Sequence, residues 1–288
     1  MPFLPFVMEG LTPEMEKMAE KELGETACVK KESLKKLKQL IENDPDFHPF
    51  MDDKFLLMFL RCKKHDVKQA FKTLRNYYLF KKKYSGIYLD FLPSEVKRIL
   101  EMNCYTTLPL RDRDGRNVAI CRLGRFNWNE ASVEELVAAA LSTGTLAHRL
   151  EAASVCGGVI IFDFEDVSLQ HVLKFVTAKF VVFILNCLKD CFPHRVKAIH
   201  IVNEPRFFQG FFNIIRFAVP DKLKGRIFFH GNNMEELHKH IPPEILPEEL
   251  GGKVGPLDNT EYIKFALSQE SLVEEMIKCG FKKSTSVR

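Results

Sequence analysis

The sequence predicts an α/β protein: a small N-terminal three-helix bundle, then a mostly parallel sheet wrapped by helices. Three observations carry this expectation. Up to about residue 92 the apolar residues recur at three- and four-residue spacing among many lysines, the mark of amphipathic helices. Beyond Pro93 short β-branched runs alternate with helical stretches, which implies parallel strands joined by right-handed crossovers. The stretch after Glu204-Pro205 is apolar around nearly its whole circumference.

The elements follow in order. Leu34, Leu37, Leu40 and Ile41 form one helical stripe, ended by Asn43-Asp44-Pro45. A second helix starts near Asp52 and carries Phe55, Leu56, Phe59 and Leu60. A third starts near Asp66 and carries Val67, Ala70, Phe71, Leu74 and Tyr78. The lysines between them read as a solvated face. Strands are expected over Val118–Leu123, Val159–Phe164, Ala198–Val202 and Ile227–His230, with a further one near Cys104–Leu108. Helices are expected over Val133–Ser154, Leu169–Lys189 and Pro205–Val219. A last helix, Glu261–Lys278, ends at Gly280 ahead of a basic tail, Lys282–Arg288, expected to be disordered.

A chain of 288 residues with a formal charge of +4 can bury a full core, and its positive charge matters only where it is clustered. No arginine-rich tail, zinc-finger spacing or RNA-binding aromatic motif argues for nucleic acid. Met1–Met8 is apolar but carries Pro2 and Pro5, lacks a basic flank and is too short for a signal-peptide core. No run approaches the roughly 18 apolar residues that span a bilayer. The eight cysteines are scattered and no Asn-x-Ser/Thr acceptor occurs, so a reduced, cytoplasmic protein is expected, with any membrane contact peripheral. No heptad pattern is present, and a monomer is the expectation.

The helix after Glu204-Pro205 presents Phe207, Phe208, Phe211, Phe212, Ile214, Ile215 and Phe217, leaving Gln209, Gly210, Asn213 and Arg216 for water. Such a helix is either buried on nearly all sides or covers something apolar that is not protein. Cations flank it. Arg195 and Lys197 stand two apart at the start of a strand, where alternation points them to one side. Lys222 and Arg226 stand four apart around a short helix, where they share a face. An apolar cover with cations at both ends suits docking on an anionic membrane.

Catalytic signals are weak. No GxxxxGK[ST], GxGxxG or GxSxG motif occurs. Asp163, Glu165 and Asp166 cluster at a strand's C-terminal end, where α/β proteins often do chemistry, yet Asp166 and Ser168 suit equally the capping of the next helix. Cys187, Cys191 and His194 have ligand-like spacing but no evident fourth ligand, and His200 reads as a hydrogen-bonded core histidine. His230-Gly231-Asn232-Asn233 reads as a turn and a cap. No catalytic residue, metal or cofactor is expected, and the protein is read as not an enzyme.

Six motifs in order now carry a resemblance: Asp53-Lys54-Phe55-Leu56-Leu57-Met58-Phe59-Leu60-Arg61; Ile161-Phe162-Asp163-Phe164-Glu165; Cys191-Phe192-Pro193; Ile199-His200-Ile201-Val202-Asn203-Glu204-Pro205; His230-Gly231-Asn232; and Leu246-Pro247-Glu248-Glu249-Leu250-Gly251-Gly252. Over roughly Lys31–Pro256 the chain resembles the CRAL-TRIO lipid-transfer family, in particular the group of the alpha-tocopherol transfer protein and cellular retinaldehyde-binding protein. The resemblance implies a helical domain over 11–92, a lipid-binding domain over 93–256 whose apolar pocket is closed by a mobile gate helix at Pro205–Val219, and a C-terminal segment over 257–288. It implies that Arg195, Lys197, Lys222 and Arg226 bind the phosphates of a phosphoinositide, with Arg195 and Lys197 inverting the family's lysine and arginine order. It further implies a cavity lined by Phe126, Val137, Ala140, Leu141, Ile160, Phe162, Ile184, Leu188, Phe192, Val196, Ile199, Phe208, Phe211 and Ile215. Ala140 and Gly144 stand where the vitamin E carrier has hydroxyl side chains, and Ser142, Thr143 and Thr145 are expected to point elsewhere.

The expected function is a cytoplasmic carrier of one hydrophobic small molecule, a tocopherol, retinoid or carotenoid. It would exchange that cargo at phosphoinositide-bearing membranes, with peripheral association to endosomal or plasma membranes. Two alternatives stand beside it: a phosphatidylinositol exchanger, which needs polar ligands inside the pocket, and a trafficking adaptor that uses the basic face.

Overall fold

The computed structural model describes residues 3–146, 150–175, 177–187 and 191–282; the side chains of Thr143, Phe175, Gln209, Phe211, Ile214, Ile215 and Ala218 fall outside that description. The N-terminal part is helical because each turn start carries its own cap. α1 (Pro13–Leu23) opens at Thr12, whose hydroxyl accepts from the Met15 amide, and closes on Gly24 in the left-handed region. α2 (Ala27–Glu42) is capped by Thr26, and β1 (Phe47–His48) is a two-residue strand. α3 (Asp53–Cys62) is capped by Asp52 and α4 (Val67–Tyr84) by Asp66. α5 (Pro93–Glu101) has proline in its first turn. α2, α3 and α4 are the expected bundle: Leu37, Ile41, Phe59, Leu60, Ala70 and Leu74 meet in one buried cluster. α1 stands apart from it, burying Met15, Ala19 and Leu23 against Ala152, Val155 and Cys156 farther along the chain.

β2 (Tyr105–Thr107) and β3 (Asn117–Arg122) lead to α6 (Val133–Leu146), α7 (Glu151–Cys156) and β4 (Gly158–Asp163). α8 (Leu169–Phe175) and α9 (Ala178–Cys187) lead to β5 (Val196–Val202), then α10 (Phe208–Ile215), α11 (Asp221–Lys224), β6 (Ile227–Phe229) and α12 (Met234–His238). α13 (Thr260–Ser268), α14 (Glu270–Lys278) and β7 (Gly280–Phe281) complete the chain's described elements. The sheet order is β2-β3-β4-β5-β6, with β2 antiparallel to β3 and the other pairings parallel.

Four expected helices are shorter or divided. Val133–Ser154 is two helices, because α6 packs on α5 while α7 turns to pack on α1 and α3. Leu169–Lys189 divides where the Thr177 hydroxyl accepts from the Phe180 amide and starts a new helix. Pro205–Val219 is helical only from Phe208 to Ile215, followed by a 3₁₀ turn over Arg216–Ala218. Glu261–Lys278 breaks at Gln269, which leaves the helical region at φ −102° and ψ 8°. α14 then returns to the N-terminal bundle. Phe281 stacks on Phe47 at 4.7 Å, and the buried Lys81 ammonium donates to the carbonyls of Ile277 and Cys279. The Lys282 amide donates to the Asp46 carbonyl, and residues 283–288 of the expected tail lie outside the described residues.

The two sheet faces differ. On β4, Val159, Ile161 and Asp163 are buried, while Gly158, Ile160 and Phe162 are half-buried. The buried face meets Leu237, Ile241, Ile245, Leu246 and Leu250. The half-buried face, with Phe162, Ile199 and Ile227, meets α10 through Phe208 and Phe212. At the C-terminal ends of the strands, buried Arg122 donates to Asp163 (3.0 Å), Glu165 (2.8 Å) and Glu249 (3.2 Å), and Asn203 donates to Asp163 (2.8 Å). The acidic cluster considered for chemistry is therefore a clamp that joins β3, β4 and β5 to the Leu246–Gly252 turn. Ser168, not Asp166, caps α8, accepting from the His171 amide, while Asp166 takes a positive φ.

Bundle and sheet domain are joined by a second buried arginine. Arg61 on α3, 1% exposed, donates to both Glu25 oxygens (2.7 and 2.6 Å), to Glu151 (2.7 Å) and to Ser154 (2.8 Å) on α7. Burial by itself would raise the Glu25 carboxyl, but hydrogen bonds from Arg61 and His65 hold it down at about 2. Replacing Arg61 by alanine takes the guanidinium away from buried Glu25 and half-buried Glu151 and is expected to cost about 3–5 kcal/mol in urea unfolding. Because the Glu25 value is depressed on folding, its contribution is complete above the ordinary value of 4.5 and is lost as pH falls toward about 2. Stability measured across that window should fall steeply in the wild type and less so in Arg61→Ala.

Candidate functional site

The site is the half-buried sheet face and the helix over it. α10 is tethered at its start by a turn that several of the sequence motifs build together. The Asn203 amide donates to the Gly231 carbonyl (2.8 Å), and Glu204 accepts from the Gly231 amide (3.1 Å). Asn233 caps α12 as expected, accepting from the Glu236 amide. Over the sheet, the Phe208 ring lies 4.4 Å from Phe164, and Phe212 lies edge-on to Phe229 at 5.0 Å. On the other side Phe207 is 37% exposed and Phe217 is 92% exposed. The helix is thus neither a core helix nor an ordinary surface helix. It shows aromatic rings to the sheet and, at both ends, to solvent.

The expected cavity residues fall into groups. Phe162, Ile199 and Phe208 share the cluster under α10. Val137, Leu141, Ile184 and Phe192 gather around Phe80, Tyr84 and Phe183. Phe126 joins a third cluster with Trp128 and Leu136, while Ala140, Ile160 and Val196 are half-buried. Leu188 lies outside the described residues, and Phe211 and Ile215 are described only as backbone within α10. Ser142 and Thr145 donate to the Ala139 and Leu141 carbonyls of their own helix.

A small cavity of about 10 Å³ is bounded by Leu141, Gly144, Thr145, Phe192 and His194 together with Phe55, Met58 and Tyr77 of the bundle. These last three escaped the sequence reading, since a residue on the core stripe of one domain gives no sign that it also faces another. Gly144 is required here because a Cβ would lie 2.9 Å from His194 Nε2. Burial pushes the His194 imidazole down to about 4, so it is neutral. Burial, with His230 and His240 nearby, pushes His200 down to about 3, and its Nδ1 lies 2.9 Å from His230 Nε2, which makes it the expected core histidine. Among the described residues no group of side chains could hold a metal; the Cys191 thiol instead donates to the Asn186 and Cys187 carbonyls.

The cations meet by a route the alternation argument did not contain. Arg195 precedes β5, and the register shift between β4 and β5 pairs Gly158 with Val196 but Val159 with Ala198, so Lys197 is a bulged residue. Both side chains nevertheless converge, Arg195 Nη2 and Lys197 Nζ each donating at 2.7 Å to the same oxygen of Glu22. Arg226 donates to the Val196 carbonyl, the residue between them. Lys222 is exposed on α11, but that helix ends at Lys224, so Lys222 and Arg226 do not share a helical face as expected. The reason is Gly225, where the turn closes and the Arg226 amide bonds to the Leu223 carbonyl.

This fold, with an aromatic helix over one face of a parallel sheet and a helical bundle docked beside it, matches a known domain class. A family model described as the CRAL/TRIO domain covers residues 101–252, more than half of the chain, and the chain belongs to that family of lipid-binding and transfer proteins. Among known proteins it is similar to the alpha-tocopherol transfer protein-like protein of Mus musculus, at 33% identity over 271 residues, or 92% of this chain and 78% of that one. It is also similar to clavesin-1 of Pongo abelii, at 29% identity over 252 residues, or 86% and 71%. The crystal structure of Sfh5 aligns with a TM-score of 0.49 at 12% identity, covering 92% of this chain and 99% of that one. No helix of the described residues is long and apolar enough to cross a membrane.

The bulge depends on Gly157, which has φ +83° and whose Cβ would lie 2.4 Å from the Arg195 carbonyl and 2.9 Å from Lys197 Cγ. Gly157→Ala is expected to destabilise the protein by about 1–3 kcal/mol in urea unfolding. It should also weaken binding to anionic vesicles, whereas a change confined to stability would separate the bulge from the cation cluster.

Proposed function

We propose that this chain is a carrier that encloses one hydrophobic small molecule of tocopherol, retinoid or carotenoid type between the half-buried sheet face and α10. It exchanges that molecule at phosphoinositide-containing membranes. The observation that carries this reading is the two-sided character of α10 and its flanks, with Phe208 and Phe212 on the sheet and Phe207 and Phe217 facing water. α8 extends the outward apolar surface: its Val172 is in the cluster under α10, while Leu169 and Leu173 are exposed. The relatives' names support the cargo class, one being an alpha-tocopherol transfer protein-like protein.

The energetics favour a triggered exchange. Burying several hundred Å² of an isoprenoid or polyene at about 25 cal/mol per Å² holds it tightly, so spontaneous release is slow. Exposed rings that enter the headgroup region gain up to about 1.5–3 kcal/mol each, and phosphate contacts at Arg195, Lys197, Lys222 and Arg226 add a charge-dependent part. A phosphoinositide that prefers the open form lowers cargo affinity by the factor by which cargo lowers its own. Arg195→Ala with Lys197→Ala is expected to abolish phosphoinositide-stimulated transfer of a fluorescent cargo between vesicles while leaving cargo affinity unchanged; undiminished stimulation would sink this reading.

Gly210 is a second handle on the lid. It is exposed within α10, and a Cβ there meets open space. A glycine within a helix costs about 0.5–1 kcal/mol relative to alanine. Gly210→Ala should therefore stabilise the closed helix and slow unstimulated cargo release about two- to fivefold in a stopped-flow transfer assay.

A further inference from the structure

Glu22 is an acid in the wrong place by local rules. It lies in the last turn of α1, where the helix dipole disfavours negative charge. Its carboxylate is only 38% exposed, so it forgoes much of the hydration that an exposed acid keeps. What holds it is one oxygen shared at 2.7 Å between Arg195 and Lys197, and this pairing, opposed by burial, leaves the carboxyl below its ordinary value. The helix that delivers it is docked firmly. Met15, Ala19 and Leu23 are buried against α7, and the segment before it is bonded through the Phe6 amide to the Pro109 carbonyl and through Arg111 to the carbonyls of Pro5 and Phe6.

We propose that Glu22 is a resident anion in the phosphate site, and that competition with it sets a threshold that phosphate monoesters pass and phosphodiesters do not. This rests on the reading of Arg195 and Lys197 as phosphate ligands. A tethered carboxylate competes at high effective concentration, so any incoming anion must beat it, not merely be attracted. A phosphodiester, as in phosphatidylserine or unsubstituted phosphatidylinositol, brings a single negative charge and exchanges one monoanion for another. A monoester brings about 1.5 to 2 negative charges and three acceptor oxygens, enough to engage Arg195 Nη2 and the Lys197 ammonium together. Arg195 Nη1 is already committed to the Val155 carbonyl, which leaves Nη2 and Lys197 Nζ as the pair contested by Glu22 and the phosphate.

The test uses the full chain and co-sedimentation with phosphatidylcholine vesicles carrying phosphatidylinositol bisphosphate or, at matched surface charge, phosphatidylserine. Calorimetry with soluble inositol trisphosphate separates phosphate from bilayer. Glu22→Gln keeps side-chain length and shape. It is expected to raise affinity for phosphatidylserine vesicles about fivefold, the size of about 1 kcal/mol for a partly exposed ion pair, and affinity for the bisphosphate vesicles by a similar factor. Affinity for inositol trisphosphate should rise as well. Arg195→Gln with Lys197→Gln should remove the preference altogether. If Glu22→Gln leaves binding to phosphatidylserine vesicles unchanged while the double variant abolishes the preference for the bisphosphate lipid, the competing role of Glu22 is overturned and the phosphate site stands. A gain seen on every anionic vesicle but absent for inositol trisphosphate reduces Glu22 to general surface repulsion and also overturns it. If the double variant binds like wild type, the site itself fails and the proposal fails with it.

Discussion

The buried guanidinium of Arg61 is the contact on which the arrangement of the two parts depends. A charge with 1% exposure is tolerable only when it is paired and hydrogen-bonded, and its three partner residues come from two places at once: Glu25 between α1 and α2, and Glu151 and Ser154 on α7. Satisfying one side chain thus sets the bundle against the sheet domain. It also anchors the link after α1, and α1 carries Glu22 to the cation cluster. The chain of dependence runs from a core ion network to the electrostatics of the site.

Arg122 does the same for the sheet. Its three carboxylate partners join β3, β4 and the Leu246–Gly252 turn, and Asn203 adds β5 through Asp163. The strand ends from which α10 departs are therefore rigid, and the Glu204–Gly231 contact fixes the departure point. α10 meets the sheet through a few aromatic contacts and carries Gly210 in its first turn, so it is held less firmly than the strand ends it departs from. Two buried histidines are kept neutral, His194 beside the bundle and His200 on the sheet face away from α10, and the hydroxyls of Ser142 and Thr145 are turned back on their own helix.

Several parts were legible residue by residue. The caps Asp52 and Asp66 mark α3 and α4, the β-branched runs mark the parallel strands within a residue or two, and the aromatic density of 207–217 marks α10 as unusual before any fold is known. The helix breaks at Thr177 and Gln269 were not legible, because the apolar period continues across them and only a change of packing partner divides the helix. The convergence of Arg195 and Lys197 was reached from alternation, yet the structure achieves it with a bulge that Gly157 alone permits. Lys222 and Arg226 were assigned a common helical face that the short α11 does not provide.

What the sequence by itself determined is the bundle's main helices, the parallel strands and the family, since caps, periods and six ordered motifs are local and survive reading in one dimension. Tertiary structure alone decided which side chains meet across distance: Phe55, Met58 and Tyr77 of the bundle beside His194, and Glu22 beside Arg195 and Lys197. Those pairings span more than a hundred residues and depend on how α1, α7 and β5 dock. Burial and charge pairing select such contacts only after the chain has closed on itself, and no spacing along it records them.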